Sequence, residues 1–449
     1  MTASLFARTL ASAAMVEVFG DRALVAAMLE FEAALAEAEA AEGVIPASAA
    51  APIAAACRDG PGDIDGLVAA ARSAGSLAIA LAKALTAAVA ARDPAAAAYV
   101  HWGSTSQDVI DSGFALVTGR ALDLVERDLD RLIAALHALA RTHENTPILA
   151  RTLLQPAQVV SLGFKVVAWL APLVRARARL ARARSGALRV QLGGAVGTLA
   201  SLGEKGPAVV RRVAERLGLA TGDAWHVQRD DWVALGLEVA LLCGSLAKIG
   251  TDLALLAQSE VGELAEPSGE GRGGSSAMPQ KKNPVAAMTA ISAGVRAPQH
   301  AATLLAAMRQ AHERALGEWQ AELAEWPSLF LAAHGALVAL ADAMERLDVH
   351  PDRMRENIAR QRGAVFAEAA AALLAPSLGR TEAGALVASL AARVVAGEGD
   401  LRELVRADPA FATIAAEAID AAFDVDRAAR AAGSLAARQL GRLVRSPHS

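Results

Sequence analysis

The fold is indicated by the stretch Leu235-Gly-Leu-Glu-Val-Ala-Leu-Leu-Cys-Gly-Ser-Leu-Ala-Lys-Ile-Gly-Thr-Asp-Leu-Ala-Leu-Leu256. Its apolar seam consists of Leu235, Val239, Leu242, Leu246, Ile249, Leu253 and Leu256, at steps of 4, 3, 4, 3, 4 and 3 residues. Such spacing places all these side chains on one face of an α-helix. We predict a helix of ~35 residues over positions 229–264, which would be ~50 Å long and would need long antiparallel partners to bury the apolar seam.

Composition extends this helical prediction to the whole chain. Of the 449 residues, 54% are hydrophobic but only 4% are aromatic, a balance that favours helix over strand. Further long helices are expected at 109–143, 158–185, 285–312 and 320–347, which gives about five long helices in the middle of the chain. Glycine and proline interrupt shorter helices on both sides of them. We therefore predict an all-α protein with three helical domains, at residues 1–108, 109–350 and 351–449.

Charge and composition argue against several classes of protein. The formal net charge of −4 at pH 7 disfavours a general nucleic-acid binder. Residues 1–10 lack the apolar run of a signal peptide, and no uninterrupted apolar stretch reaches the ~18–20 residues that span a bilayer. Cys57 and Cys243 are expected to be buried apolar residues in a reducing cytoplasm. The sequence has no His/Cys/Asp cluster with metal-ligand spacing, so we expect neither a metal nor an organic cofactor.

Chemically active residue types are concentrated in the segment Gly271-Arg-Gly-Gly-Ser-Ser-Ala-Met-Pro-Gln-Lys-Lys-Asn-Pro284, between two predicted long helices. Its glycines permit backbone angles that other residues avoid, which suggests a segment that moves. Lys281 and Lys282 are two of only six lysines in a chain with 44 lysine and arginine residues. Adjacent lysines beside two hydroxyls suit an anionic substrate, because lysine acts as a compact point charge. The alternative is a solvated basic loop.

Residues 274–284 resemble the signature of the fumarase/aspartase superfamily, Gly-Ser-Ser-x-Met-Pro-x-Lys-x-Asn, at every fixed position. The superfamily includes argininosuccinate lyase, adenylosuccinate lyase and bacterial cycloisomerases, and the predicted helical layout fits it along essentially the whole chain. The resemblance implies a homotetramer with a central core of twenty helices. It also implies active sites to which three subunits each contribute a different segment.

Four further segments resemble the cycloisomerase branch of this superfamily, namely residues 101–111, 188–202, 225–230 and 312–320. That branch closes 3-carboxy-cis,cis-muconate, a small tricarboxylate, to 4-carboxymuconolactone in protocatechuate catabolism, without a cofactor. The reaction passes through an enolate-like state, so preorganised donors for negative charge are expected to contribute most, at ~2.7–4 kcal/mol each. The competing interpretation is a fumarate-releasing enzyme like adenylosuccinate or argininosuccinate lyase.

The resemblance assigns roles to residues of the loop and of the first segment. Ser275 matches the proton-transfer serine, and Lys281 is expected to stabilise its alkoxide. Lys281 and Asn283 match positions that bind a substrate carboxylate, with Ser276 as a supporting hydrogen-bond donor. His101 is expected to donate a proton or bind a carboxylate, unless it is tied into the hydrogen bonds of its own turn.

Further substrate-binding residues are expected at 104–106, at 152–155 and at 314. These residues are Ser104, Thr105, Ser106, Thr152, Gln155 and Arg314. Arg314 is expected to clamp a carboxylate with two parallel hydrogen bonds, with an intersubunit salt bridge as the alternative. Argininosuccinate and adenylosuccinate lyases carry a histidine right after the threonine that matches Thr152, where this chain has Leu153. Because leucine cannot exchange a proton, Leu153 argues against the amine-eliminating reactions.

Two interpretations from other classes remain. A non-enzymatic structural protein can use the same scaffold, although the intact set of Ser275, Lys281 and Asn283 argues against it. The glycine-rich residues 193–197 suggest dinucleotide binding, but they lack the full glycine fingerprint and a preceding strand. Structural roles are expected for Asp108, His226, Trp319 and Trp326.

Overall fold

The computed structural model describes residues 5–60, 62–269, 273–274, 277–278 and 280–445. In this part of the chain the α-helices are α1 (Leu5–Thr9), α2 (Ala13–Val18), α3 (Asp21–Ala41), α4 (Ala47–Asp59), α5 (Ile64–Ala74), α6 (Leu77–Ala90), α7 (Ser106–Thr142), α8 (Leu162–Ala187), α9 (Gly206–Leu217), α10 (Asp230–Ala257), α11 (Val285–Ala307), α12 (Glu318–Met344), α13 (Pro351–Ala359), α14 (Ala367–Leu378), α15 (Arg380–Val395), α16 (Leu401–Ala407), α17 (Ala416–Ala422) and α18 (Val425–Arg445). The strands are β1 (Pro147–Thr152), β2 (Gln155–Ser161), β3 (Leu264–Ala265) and β4 (Asp348–Val349), paired antiparallel as β1–β2 and β3–β4. The predicted all-α class is confirmed.

The five long helices of the middle region are the expected ones. They have 37, 26, 28, 23 and 27 residues in α7, α8, α10, α11 and α12. Every residue of the apolar seam in α10 is at most 4% exposed. The predicted role of the seam as core is therefore confirmed.

The ends of these helices differ from the predicted ones by several residues. The helix α10 stops at Ala257, since the Gly262 N–H bonds back to the Gln258 carbonyl at 2.8 Å and Gly262 takes a left-handed φ of 60°. The helix α11 starts at Val285, as predicted, and the Glu266 carboxylate accepts hydrogen bonds from the N–H groups of Ala286 and Ala287 at this end, both at 2.9 Å. Carboxylates are favourable at this helix end, where N–H groups lack partners.

The chain divides into two compact units. Unit 1 comprises residues 1–129, 176–247 and 289–338, and unit 2 comprises residues 130–175, 248–288 and 339–449. Each unit therefore contains parts of several long helices. The division into three domains along the sequence remains a prediction.

The core of unit 1 contains a row of stacked aromatic rings. Trp225 packs on Trp232 with ring centroids 5.5 Å apart, and Trp232 stacks on Trp326 at 4.1 Å. Trp326 also contacts Phe330 at 5.5 Å. Trp326 is fully buried and Trp319 is nearly so, which confirms their expected role in packing.

Unit 2 contains a hairpin, β1–β2, which the sequence analysis did not predict. Thr152 pairs with Gln155, and Leu153 and Leu154 form the two-residue turn with φ values of 50° and 65°. Leu149 and Val159 from the two strands pack into the apolar cluster of the C-terminal helices. The hairpin exists because this cluster buries one of its faces, which the local sequence does not reveal.

Two helices, α10 and α12, are long and apolar enough to cross a membrane by length and composition. Half of the most apolar segment of α10 and 78% of that of α12 are buried inside the chain, as in the core helices of a globular protein. Gly236 of α10 illustrates this packing, since a Cβ there would approach the Trp326 ring to 3.0 Å. Cys57 and Cys243 are both buried and unpaired, as expected.

Candidate active site

His101 begins the first predicted site segment, in a turn that leads into α7. Its backbone has a left-handed φ of 58°, which turns the side chain toward α3. The Nδ1 atom lies 2.6 Å from Oε1 of Glu32, and because a carboxylate only accepts, the proton of this bond is on Nδ1. Burial lowers the pKa of the imidazole, but the charge and hydrogen bond of Glu32 and the charge of Asp108 outweigh it, so the pKa of His101 is raised. The ring is therefore biased toward the imidazolium form.

Two predicted substrate-binding residues of unit 1 meet in the structure. Arg314 donates from Nη1 to the hydroxyl oxygen of Thr105 at 2.5 Å, across 209 residues of sequence. Both side chains are half-buried. Ser104 and Ser106 flank Thr105, and Ser106 is the first residue of α7. This end of α7 thus combines a guanidinium, hydroxyl groups and the His101 ring, a set of groups suited to carboxylates.

Asp108 lies beneath this turn and is fully buried. Its carboxylate accepts hydrogen bonds from the backbone N–H groups of Thr105, Gly193 and Gly194 at 3.0, 3.0 and 2.9 Å. It also pairs with Nε2 of His226 at 2.7 Å. The expected structural roles of Asp108 and His226 are confirmed. The glycine N–H groups that suggested dinucleotide binding are already engaged by this carboxylate.

A second buried ionic group supports the same end of α7. Arg229 donates to Asp111 at 2.7 Å and forms a short ion pair with Glu322. Its guanidinium also lies 4.4 Å from the centre of the Trp225 ring. Burial raises the pKa of Glu322, although Arg229 partly offsets this effect. Trp319 donates its indole N–H to Asp111 at 2.9 Å.

Sequence reasoning missed this group. Asp111 and Arg229 both belong to segments that carried the family resemblance, but no role was assigned to either. The available signal was that each is a charged residue within a segment next to predicted site residues. Burial decides their role, because buried charges are stable only when paired.

The hairpin tip of unit 2 carries Thr152 and Gln155, both exposed. Leu153 and Leu154 between them are 96% and 71% exposed. Left-handed backbone is unfavourable for leucine, and exposure of two leucines gains nothing in this single chain. Strained and exposed residues of this kind are typical of functional segments.

The signature loop of unit 2 is described only in part, and Ser275 and Ser276 lie outside the described residues. At its base, the Asn283 N–H donates to the Gly273 carbonyl at 2.8 Å, and the Asn283 side chain donates to the Gly274 carbonyl at 3.2 Å. The Lys281 side chain is exposed. Asn283 therefore closes the loop, and this contact is compatible with a further one to substrate through its amide oxygen.

The predicted site residues are shared between the units, with His101, Ser104, Thr105, Ser106 and Arg314 in unit 1. Thr152, Gln155, Lys281 and Asn283 belong to unit 2. A cleft of about 420 Å³ in unit 1 is lined in part by Arg22, Cys57 and Arg58, and contains none of these residues. In the described part of the chain, His, Cys, Asp and Glu side chains form no group of three or more that could hold a metal ion.

Comparisons with known proteins show which family the chain resembles. The profile of a family described as "Lyase" matches residues 7–297, and one described as "Adenylosuccinate lyase C-terminus" matches residues 363–439. A 3-carboxy-cis,cis-muconate cycloisomerase of Bradyrhizobium diazoefficiens is 48% identical over 90% of each chain. That of Pseudomonas aeruginosa is 47% identical over 89% of this chain and 88% of its own.

Among solved structures, the 3-carboxy-cis,cis-muconate lactonizing enzyme of Pseudomonas putida is 41% identical. It superposes with a TM-score of 0.92 over 99% of both chains. Sequence and structure thus point to the same group of proteins along nearly the whole chain. The chain therefore belongs to the Lyase family, and its predicted membership of the fumarase/aspartase superfamily is confirmed.

Proposed function

We propose that the chain is a 3-carboxy-cis,cis-muconate cycloisomerase that needs no cofactor. One carboxylate oxygen of the substrate bonds to an alkene carbon, and the electron pair of that double bond takes a proton at the neighbouring carbon. The product is an isomer of the substrate, since no group leaves. The observation that carries the proposal is the meeting of Arg314 and Thr105 beside His101, in a chain whose relatives of this name are 47 and 48% identical.

The charges of the site suit this reaction. The substrate carries three carboxylates, and the enolate-like state places further negative charge beside one of them. Arg314 supplies a fixed cation, and the raised pKa of His101 favours its imidazolium form. Thr105, with Ser104 and Ser106, supplies hydroxyl donors. Preorganised donors of this kind are worth several kcal/mol in the transition state because they need not reorient.

The resemblance implies further roles for residues of unit 2. Ser275 exchanges the proton, with Lys281 stabilising its alkoxide, and Ser276 supports them. Asn283 binds a substrate carboxylate, and Thr152 and Gln155 contact the substrate from the hairpin tip. These roles are inferred from the resemblance, and the hydrogen bonds from Asn283 to the Gly273 and Gly274 carbonyls support a position for Asn283 at the base of the loop.

We further propose a cytoplasmic homotetramer with twenty core helices, in which different subunits complete each active site. The support is exposed apolar surface on the long helices: Leu241 is 56% exposed, Met288 is 56% exposed and Val295 is 69% exposed. Exposed apolar side chains on long helices are found at subunit interfaces. The exposed hairpin tip is accessible to a neighbouring subunit in the same way.

The alternative is a fumarate-releasing lyase, and one observation favours it. The C-terminal residues 363–439 match the adenylosuccinate lyase profile. Leu153 opposes it, because a leucine at the hairpin tip cannot act as the acid or base that amine elimination requires. The cycloisomerase is therefore the better-supported function.

A spectrophotometric assay tests the proposal. Purified protein is mixed with 3-carboxy-cis,cis-muconate in the presence of a chelator, and in parallel with adenylosuccinate and with argininosuccinate. We expect loss of the diene absorbance with formation of the lactone, and no fumarate from either succinyl compound. Fumarate release without any change in muconate would refute the proposed substrate and support the alternative.

A further inference from the structure

Behind His101, the helix α3 buries two glutamates on one face. Glu32 is 2% exposed and Glu39, seven residues further along, is 0% exposed. Glutamate is almost never fully buried without a partner, because removing its charge from water costs several kcal/mol. Glu32 has such a partner in His101, whereas neither carboxylate oxygen of Glu39 has a hydrogen-bond partner among the described residues.

The surroundings of the two glutamates therefore differ. Burial and the charge of Glu32 raise the pKa of Glu39 to about 9, so Glu39 is protonated and neutral at pH 7. Glu32 accepts the short hydrogen bond from His101.

Other charged groups around the pair come from three helices. From α4, Cys57 faces Glu32, and burial raises the pKa of its thiol to about 12, so it is neutral. From α7, the charge of Asp108 acts on His101 in the same direction as Glu32. The remaining neighbours on this side of α3 are paired elsewhere or act on Cys57: Arg212 with Glu42, Arg216 with Glu37, and Arg58 near Cys57.

We propose that Glu32 is a positioning residue for the reaction, which holds Nδ1–H of His101 so that Nε2 faces the substrate site. This inference rests on the proposed function. In it, Glu32 acts through His101 and does not itself bind substrate. The Nε2 atom of His101 has no hydrogen-bond partner among the described residues, and the side chain is 20% exposed. It is therefore accessible to a substrate carboxylate.

The experiment compares Glu32→Gln with Glu39→Gln in the full-length protein. Diethyl pyrocarbonate reacts with neutral imidazole, so its rate at His101, followed by peptide mass spectrometry against pH, gives the protonation midpoint of this ring without any need for activity. We expect Glu32→Gln to lower the midpoint by at least about one pH unit. Glu39→Gln should leave it unchanged, because it replaces one neutral group by another.

Steady-state kinetics with 3-carboxy-cis,cis-muconate provide the second measurement. We expect Glu32→Gln to lower kcat/KM about tenfold or more, as does His101→Ala, and the double variant to be no worse than His101→Ala alone. Glu32→Asp retains the charge at a longer distance and should restore part of both the midpoint and the rate. If circular dichroism shows that Glu32→Gln does not fold, Glu32→Asp replaces it in both measurements.

An unchanged midpoint in Glu32→Gln, or in Glu32→Asp if only that variant folds, would overturn the proposal. So would additive losses in the double variant, since they would mean that Glu32 acts independently of His101. Absence of muconate turnover in the parent protein would overturn the proposed function instead, and the His101 midpoint would still decide whether Glu32 controls this ring.

Discussion

Arg229 and Asp111 form an ion pair at 2.7 Å in which both side chains are at most 2% exposed. The pair joins the start of α10 to the start of α7, next to the turn that carries His101 and Thr105. Removing one member leaves a charge buried without a partner, which costs more than the intact pair contributes. The stability of this end of α7 therefore depends on residues that contact no substrate.

We expect Arg229→Met to destabilise the protein by about 3–5 kcal/mol, because Asp111 and Glu322 are left without their cation. The matched control is Arg120→Met, which removes an exposed pair with Glu30 and should cost at most about 1 kcal/mol. Calorimetric melting of both variants measures the difference. Equal melting temperatures for the two variants would contradict the assigned role of Arg229.

Glu39→Gln is expected to stabilise the protein, and increasingly so at higher pH. The folded carboxyl group has a pKa of about 9, against 4.5 ordinarily. Between these values the folded state holds one proton more than the unfolded state, so the stability of the parent protein falls by ~1.4 kcal/mol per pH unit as pH rises. Glutamine does not ionise, so the Glu39→Gln variant lacks this loss of stability.

Melting temperatures at pH 5, 7 and 8.5 test this expectation, with the exposed Glu30→Gln as the control. The difference in melting temperature between Glu39→Gln and the parent protein should increase with pH. For Glu30→Gln this difference should not change with pH. Parallel profiles for Glu39→Gln and the parent would mean that Glu39 ionises normally in the folded state.

Gly273→Ala should impair turnover more than stability. Gly273 has a left-handed φ of 68°, and a Cβ there would lie 2.6 Å from the Asn283 carbonyl oxygen. The base of the signature loop would have to shift, and displacements of about 1 Å at a site can cost about a hundredfold in rate. At Gly274 a Cβ meets no described atom within 4 Å, so Gly274→Ala is the control.

The kcat values and melting temperatures of these two variants are compared under the assay conditions described above. We expect kcat to fall in Gly273→Ala and not in Gly274→Ala, with nearly unchanged melting temperatures. If kcat falls equally in both alanine variants, turnover depends on the glycine content of the loop and not on its closure by Asn283.

Ser275→Ala is expected to lose at least about a hundredfold in kcat while keeping the assembly of the parent protein, since it removes the proposed proton-transfer group. Ser268→Ala is the control, because among the described residues the Ser268 hydroxyl has a hydrogen bond only with the Lys282 side chain, at 3.5 Å. Kinetics combined with gel filtration make the comparison. Near-full activity of Ser275→Ala would remove Ser275 from the mechanism.

Leu153→His should not by itself create succinyl-lyase activity, because one acid or base does not supply a binding site for a succinyl compound. The variant should fold, since the side chain is 96% exposed and histidine is among the residues more often found at positive φ. Fumarate formation from adenylosuccinate and argininosuccinate is measured, with Leu154→His as the control. Robust fumarate release from Leu153→His alone would show that the pocket is already that of a lyase.

The long helices could be predicted because the apolar periodicity that indicates each helix lies within that helix's own sequence. The apolar seam of α10 repeats over six turns, and no distant residue is needed to recognise it. The hairpin was different, since its strands are short and gain stability from C-terminal helices more than 190 residues away along the chain. The start of α11 at Val285 was predicted, whereas the predicted helix over 229–264 was too long, because α10 ends at Ala257.

For the candidate site, the sequence identified the residues that resemble a motif. His101, Thr105 and Arg314 were named, and the structure places them together in unit 1. Glu32 and Glu39 were not, because single glutamates in an alanine-rich helix are normally on the solvated face. Only the approach of the turn at residues 101–105 makes them buried, and that is a property of the folded chain.

The contact between Asp108 and His226 has a consequence for synthesis on the ribosome. The two residues are separated by 118 positions, so at 5–20 residues per second the carboxylate waits roughly 6 to 24 s for its imidazole to be made. Until then the buried carboxylate of Asp108 lacks one of its partners, and Arg314 follows later still. The contact between Arg314 and Thr105 therefore forms only after most of the chain has been made, and products truncated before Arg314 lack it.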